Sequence, residues 1–204
     1  MNRPSALAIS GAVEGLLDEA VLRRLAAEVG AQVATIYGRQ GKSHLRERLA
    51  GYNAAARLGP WVVLMDLDQD AECAPPLRSN WLPDPAPDMC FRVAVHEVEA
   101  WLLADRVAIS ALLGIPAARI PVNPDAEVNP KETMIRLARM SRHRGIVEDM
   151  VPRPGSGRAV GDAYTSRLVE FVQKRWRPRL AADCSDSLCR CLRRLEELAE
   201  RAGA

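Results

Sequence analysis

Lysine is nearly absent from this chain: of 28 basic residues only Lys42, Lys131 and Lys174 are lysines, and the rest are arginines. With so much alanine beside them, this reads as genomic base composition, and it makes each lysine more noticeable than any arginine. No apolar run approaches the roughly 18 residues that a membrane-spanning helix needs. Cysteine is sparse and odd in number, five in all, so a disulfide framework is not expected. The segment MNRPSALAIS leads directly into a strand-like stretch without a long apolar leader, and a cytoplasmic protein is expected. Cys189-Arg-Cys191 is not a CxxC pair and has no histidine near it, which argues against zinc. Of three histidines, His44 and His143 stand in arginine-rich surroundings, and only His96 follows an apolar run. The basic loop 153–158 lacks both the Gly-Lys-Ser/Thr ending of a Walker A loop and the dinucleotide fingerprint. No internal repeat is present.

What remains is an ordinary globular composition. A chain of 204 residues, 48% hydrophobic and 26% charged, suits one domain or one domain with a helical appendage. At that size about two thirds of the unfolded surface can be buried. The net charge of +2 is unevenly spread. Residues 131–204 hold 16 basic and 10 acidic residues, which leaves 12 and 16 of the chain's 28 and 26 for residues 1–130. An acidic front half and a basic back half suit a metal site beside a phosphate-binding surface; arginines on solvated helix faces give the same count.

Hydrophobic patterning predicts alternating elements. Residues 6–13 read as a buried strand. Residues 16–29 read as a helix with Leu17, Val21, Leu22, Leu25 and Val29 at helical spacing, ended by Gly30. Residues 31–37 form a second strand and 43–58 a second helix, broken by Gly59-Pro60. The run Trp61-Val62-Val63-Leu64-Met65 is apolar throughout and predicts a strand covered on both faces. Residues 91–95 form a fourth strand and 97–113 a single helix. Residues 69–89 carry five prolines and are expected to form no regular element. After Pro116 come a connection, a helix over 131–142, a loop over 151–161, and helices over 164–176 and 186–202. The pattern predicts an α/β three-layer sandwich around a mainly parallel four-stranded sheet over residues 1–115, with residues 116–204 as a helical extension packed on it.

The carboxylates carry the chemistry. Glu14 ends the first strand, followed by Gly15, which permits close backbone approach. Asp66-Leu67-Asp68 ends the third, with Asp70 and Glu72 beyond. In a parallel sheet these ends share the edge where open α/β folds bind ligands. Carboxylates gathered there repel one another unless a cation neutralises them. Oxygen-only ligands suit Mg²⁺ or Mn²⁺, which also bind phosphate oxygens. Turn and capping chemistry accounts for isolated acidic residues here, Asp18-Glu19 in a helix's first turn included.

Val13-Glu14-Gly15-Leu16-Leu17-Asp18 resembles the first TOPRIM motif, and Val62-Val63-Leu64-Met65-Asp66-Leu67-Asp68 resembles the second. TOPRIM is the metal-binding α/β domain of topoisomerases, primases, OLD-type nucleases and a ribosomal-RNA maturase. His96-Glu97-Val98-Glu99-Ala100-Trp101 is similar to the Glu-x-Glu-Ala-Trp signature of an uncharacterised bacterial family, as are Asn129-Pro130-Lys131 and the stretch 163–168. The resemblance implies that Asp66 and Asp68 hold Mg²⁺ and that Glu14 binds the ion or transfers a proton.

Glu97 and Glu99 lie about 200° apart on one helix, so only one can face the site. Glu99 is the preferred further ligand, with His96 one helical turn earlier; first-turn dipole pairing is the alternative for both. Trp101 is read as core. Among cations, Lys131 is the first choice to meet a reacting phosphate, with Lys42, Arg78 and Arg92 as further phosphate contacts. The expected function is Mg²⁺-dependent phosphodiester chemistry on DNA or RNA in the manner of a nuclease. No ATPase motif is present, so an ATP-driven step would need a separate ATPase partner, by analogy with OLD-type systems. The chain has no room for a tyrosine-bearing strand-passage domain. A homodimer through the last helix is weighed against packing on the chain's own core. The alternatives are a non-catalytic metal- and nucleic-acid- or protein-binding module, and a phosphate-ester or nucleotide-sugar enzyme using Asp-x-Asp.

Overall fold

A computed structural model describes residues 6–68 and 73–203. Asp70 and Glu72 lie outside the described residues. The chain runs β1 (Leu7–Val13), α1 (Leu16–Glu28), β2 (Ala31–Gly38), α2 (Lys42–Ala55), β3 (Trp61–Asp66), α3 (Ala74–Trp81), β4 (Met89–Ala94), α4 (Val98–Ala104) and α5 (Arg106–Leu113). Two short 3-10 turns follow, then α6 (Pro130–Arg139), α7 (Arg144–Met150), α8 (Tyr164–Lys174), α9 (Pro178–Ala182) and α10 (Asp186–Gly203).

The four strands pair in the order β2-β1-β3-β4, all parallel. Val13 pairs with Leu64 and with Gly38, and Asp66 pairs with Ala94, so the carboxyl ends of all four strands share one edge. Every residue from Trp61 to Met65 is buried, because β3 is central and covered on both faces. Val62 and Leu64 face a large cluster with α1, α4 and the C-terminal helices. Trp61, Val63 and Met65 face a smaller one with Leu45, Leu49 and Tyr52 of α2 and Leu77 of α3. These are the three layers of an α/β sandwich.

Two expectations are corrected. The proline-rich stretch after β3 contains a helix, α3, because Pro75 and Pro76 fall in its first turn, where a missing N–H costs nothing. The expected single helix over 97–113 is two, broken at Asp105 (φ −82°, ψ 69°). Asp105 is itself the reason: its carboxylate accepts from the N–H of Ala108, capping α5, and takes the Arg177 guanidinium at 2.5 Å. Helices α7 and α9 also go beyond the sequence-based expectation.

One continuous cluster of buried residues runs from Ile9 to Leu198, so the segments after Pro116 share a core with the sheet. Trp101, fully buried on α4, donates its indole N–H to Ser187 Oγ at 2.7 Å, and Trp176 donates to the Trp101 carbonyl at 3.3 Å. These bonds fix α4, and with it Glu99, against the C-terminal helices. Among the described residues no single helix is long and apolar enough to cross a membrane, although the bent pair Arg106–Leu113 and Ala117–Ala126 passes that test by length and composition.

Candidate functional site

The site grows from the ends of β1 and β3. Glu14, immediately after β1, reaches across to accept the Asp66 N–H at 2.8 Å. Asp66, the last residue of β3, accepts the N–H of Val98 at 2.9 Å, satisfying one of the unpaired donors at the start of α4. The two carboxylates therefore tie β1, β3 and α4 together at the sheet's carboxyl edge. Gly38 makes this edge compact: a Cβ there would lie 2.3 Å from the Val13 carbonyl oxygen, and its φ is +85°. Gly15 is extended, at φ −150°, and a Cβ on it would sit 3.2 Å from Asp18 Oδ2. Its smallness gives Asp18 room rather than giving the backbone an unusual turn.

The sequence places Asp18 in a helix's first turn and gives it no part in the ion site. Asp18 is 6% exposed, and its Oδ1 is buried with no hydrogen-bond partner among the described residues. Burial, then the charges of Glu14 and Glu99, push its carboxyl up to about 7 from 3.8. The sequence does hold a signal: Asp18 lies four residues after Glu14, inside the stretch that resembles the first TOPRIM motif. Asp66 keeps partial exposure, yet its carboxyl is pushed well above the usual range, first by desolvation and then by Asp18, Glu99, Glu14 and Asp68. Glu99 is 2% exposed and also pushed up, chiefly by burial. Glu14, Asp18, Asp66 and Glu99 thus form one electrostatically coupled acidic group.

Glu97 and Glu99 are not spread around one helix. Glu97 is the N-cap of α4, with extended backbone (φ −144°, ψ 154°), so the helical angle between them does not apply. Lys131 engages both. Its N–H and Nζ donate to the two Glu97 oxygens at 2.7 and 2.6 Å, and Nζ lies 3.8 Å from Glu99 Oε1. Burial alone would depress the Lys131 ammonium; the adjoining carboxylates of Glu99 and Glu97 outweigh it and raise its pKa. Tyr164 donates to Glu99 Oε1 at 3.2 Å from inside the core. The sequence points to Tyr164 only through the resemblance of the stretch 163–168, and nothing in its local pattern marks it for this contact.

His96 is not on α4 either. It stands at φ +60° in the turn before the helix, with ring Nδ1 3.4 Å from the Asp68 carbonyl oxygen. Asp68, at φ +49°, donates its N–H to the His96 carbonyl at 2.8 Å. The turns after β3 and β4 are thus stitched together, each holding a non-glycine residue in a sparsely populated conformation. Asp68 is largely exposed and bonded to Lys42, the first residue of α2.

Lys42 therefore sits at this edge, against Asp68. Arg78 and Arg92 do not: they line a separate cleft between α3, β4 and the start of α10. A larger cleft, of about 550 Å³, opens beside Lys131 and Glu97 and is walled by Arg136, Arg139 and Arg158. Helical spacing places Ile135 and Arg139 one turn apart on α6, with Arg136 between them, a basic face that the arginine-rich background masks in the sequence.

As the side chains stand, no three His, Cys, Asp or Glu groups among the described residues are placed to hold a metal ion. The donor chemistry nevertheless fits a hard cation: all donors are carboxylate oxygens, their charges raise the pKa of Asp18 and Asp66, and one buried Asp18 oxygen lacks a partner among the described residues. Comparison of the chain with protein-family models, curated proteins and solved structures finds no match.

Proposed function

We propose that the chain is a TOPRIM-like, Mg²⁺- or Mn²⁺-dependent phosphodiesterase acting on nucleic acid in the manner of a nuclease. In this reading residues 1–115 are the metal-binding core and 116–204 its helical cover. The observation that carries it is the Asp18 oxygen, without a partner among the described residues and buried among carboxylates that repel one another at the carboxyl edge of a parallel sheet. Burying such charge without a counter-ion is costly, and a divalent cation is the chemistry that removes the cost.

Glu14, Asp18 and Asp66 are the residues to hold the ion, with Glu99 behind them and Asp68 at the rim. A divalent ion held there would supply Lewis acidity toward water and phosphate oxygen. Glu14, at the outer end of β1, is placed to accept a proton at its carboxylate from the attacking water. Lys131, half-buried and held by Glu97, presents a cation between the carboxylates and the larger cleft. Arg136, Arg139 and Arg158 then give the phosphodiester backbone a cationic track leading to the site. Glu99 acts through Lys131 and Tyr164, as a positioning residue. An ATP-driven step, in this reading, belongs to a separate ATPase partner.

The test is cleavage of single- and double-stranded DNA and RNA with Mg²⁺ or Mn²⁺, for the wild-type chain and for Glu14→Gln and Asp66→Asn. Divalent-dependent cleavage lost in both variants supports the reading. Cleavage that persists in both, or no cleavage of any substrate, contradicts it. Ion binding without cleavage favours a non-catalytic binding module.

A further inference from the structure

The two arginines left out of the carboxylate site occupy a setting of their own. Arg92 projects from β4 on the face of Cys90 and Ala94, under α10, and donates to the Cys191 sulfur. Arg78 approaches from the last turn of α3. Both line a cleft of about 480 Å³, with Arg190 of α10 at its margin. In each of Arg78 and Arg92 the Nε–H is buried and has no hydrogen-bond partner among the described residues. Among the described residues neither guanidinium is paired with a carboxylate. They crowd each other instead: burial, then Arg92 and Arg194, depress the Arg78 guanidinium.

The two described carboxylates that line this cleft are already committed. Asp125 accepts from Ser185 Oγ at 2.7 Å and from the Ser187 N–H at 3.0 Å, and Asp186 pairs with Arg190 at 2.5 Å. The first N–H groups of α10 are committed too, Ser187 to Asp125 and Leu188 to Ser185 Oγ. Among the described residues the cleft therefore presents two half-buried guanidinium groups whose charge no neighbouring side chain balances. Buried polar atoms without partners and like charges without a counter-ion are both rare and costly in folded proteins. A guanidinium fork matches the oxygens of phosphate in shape and charge.

We propose that this cleft is an anion site that takes a phosphate group between Arg78 and Arg92, separate from the carboxylate centre. The phosphate belongs either to a small free ligand or to a nucleic-acid end. The site stands whether or not the carboxylates bind metal.

The test is calorimetric titration of the full chain, without divalent ions, using pyrophosphate and a short single-stranded oligonucleotide carrying either a 5′-phosphate or a 5′-hydroxyl. Saturable binding is expected, weakened at least about tenfold by Arg78→Gln and by Arg92→Gln, and retained by Glu14→Gln. Preference for the 5′-phosphorylated strand over pyrophosphate identifies a nucleic-acid end. Binding of pyrophosphate alone identifies a small ligand. Absence of binding by every probe, or binding unchanged in both arginine variants, overturns the proposal. Thermal melts accompany each variant. Should Arg92→Gln fail to fold, Arg78→Gln decides the matter from the exposed α3, with Arg92→Lys keeping charge while losing the fork.

Discussion

Replacing Asp18 by asparagine should make the metal-free protein more stable. In the unfolded chain this carboxyl titrates near 3.8, and in the folded chain near 7. The gap of about three units corresponds to roughly 4 kcal/mol at full ionisation. Local relaxation reduces what a substitution recovers, so about 2–4 kcal/mol is expected, or roughly 5–15 °C in melting temperature for a chain of this size. Asparagine keeps an oxygen for the backbone N–H groups and removes the charge facing Glu14 and Glu99. The sign depends on pH. Below about pH 4 the carboxyl is protonated in both states and carries no penalty. Between about 4 and 7 the unfolded chain releases its proton while the folded chain holds it, so wild-type stability falls as pH rises; above 7 the penalty is constant. Thermal melts of wild type and Asp18→Asn across pH 4–8, in the presence of a chelator, read this directly. An advantage for the variant that is equal at pH 4 and pH 8, or a variant less stable at pH 8, refutes the reasoning.

Four further outcomes are expected. Lys131→Ala strips the cation from Glu97 and the buried Glu99 and should destabilise the fold by about 1–3 kcal/mol, measured by denaturant melts, while lowering nucleic-acid affinity. Tyr164→Phe removes one buried hydrogen bond to Glu99 and should cost about 1 kcal/mol in the same assay. Gly38→Ala drives a methyl toward the Val13 carbonyl from a positive-φ position; a loss of more than about 2 kcal/mol is expected, and an unchanged melting temperature contradicts the close packing of β1 and β2. Arg136→Gln and Arg139→Gln should each weaken nucleic-acid binding regardless of sequence and reduce the slope of log affinity against log salt by about 1.

The sheet was readable in the sequence because β3 is an unbroken apolar run and α1 has clean helical periodicity. Strand ends on a parallel sheet share an edge, so the meeting of Glu14 and Asp66 followed from order alone. What escaped were features set by tertiary contact. Pro75 and Pro76 looked like breakers but open α3, since the first helical turn has no use for their missing N–H. The break at Asp105 depends on Arg177, 72 residues away. Glu97 and His96 were placed on a helix that begins only at Val98, and the angular separation assigned to Glu97 and Glu99 disappeared with that shift. Asp18 looks like a first-turn acid because neither its burial nor the Glu99 charge that acts on it exists before the chain folds. Arg78 and Arg92, grouped with the phosphate-binding residues by charge, separate because they line a cleft to which Glu14, Asp18, Asp66 and Glu99 contribute nothing.

Titration of Mn²⁺ into the metal-free protein at pH 8, followed by the electron-spin signal of the free ion, tests the central claim most directly. The carboxylate centre predicts saturable binding by the wild-type chain, at least about tenfold weaker in Asp18→Asn and in Asp66→Asn. A wild-type chain that leaves all Mn²⁺ free, or binding that both variants leave unchanged, contradicts it.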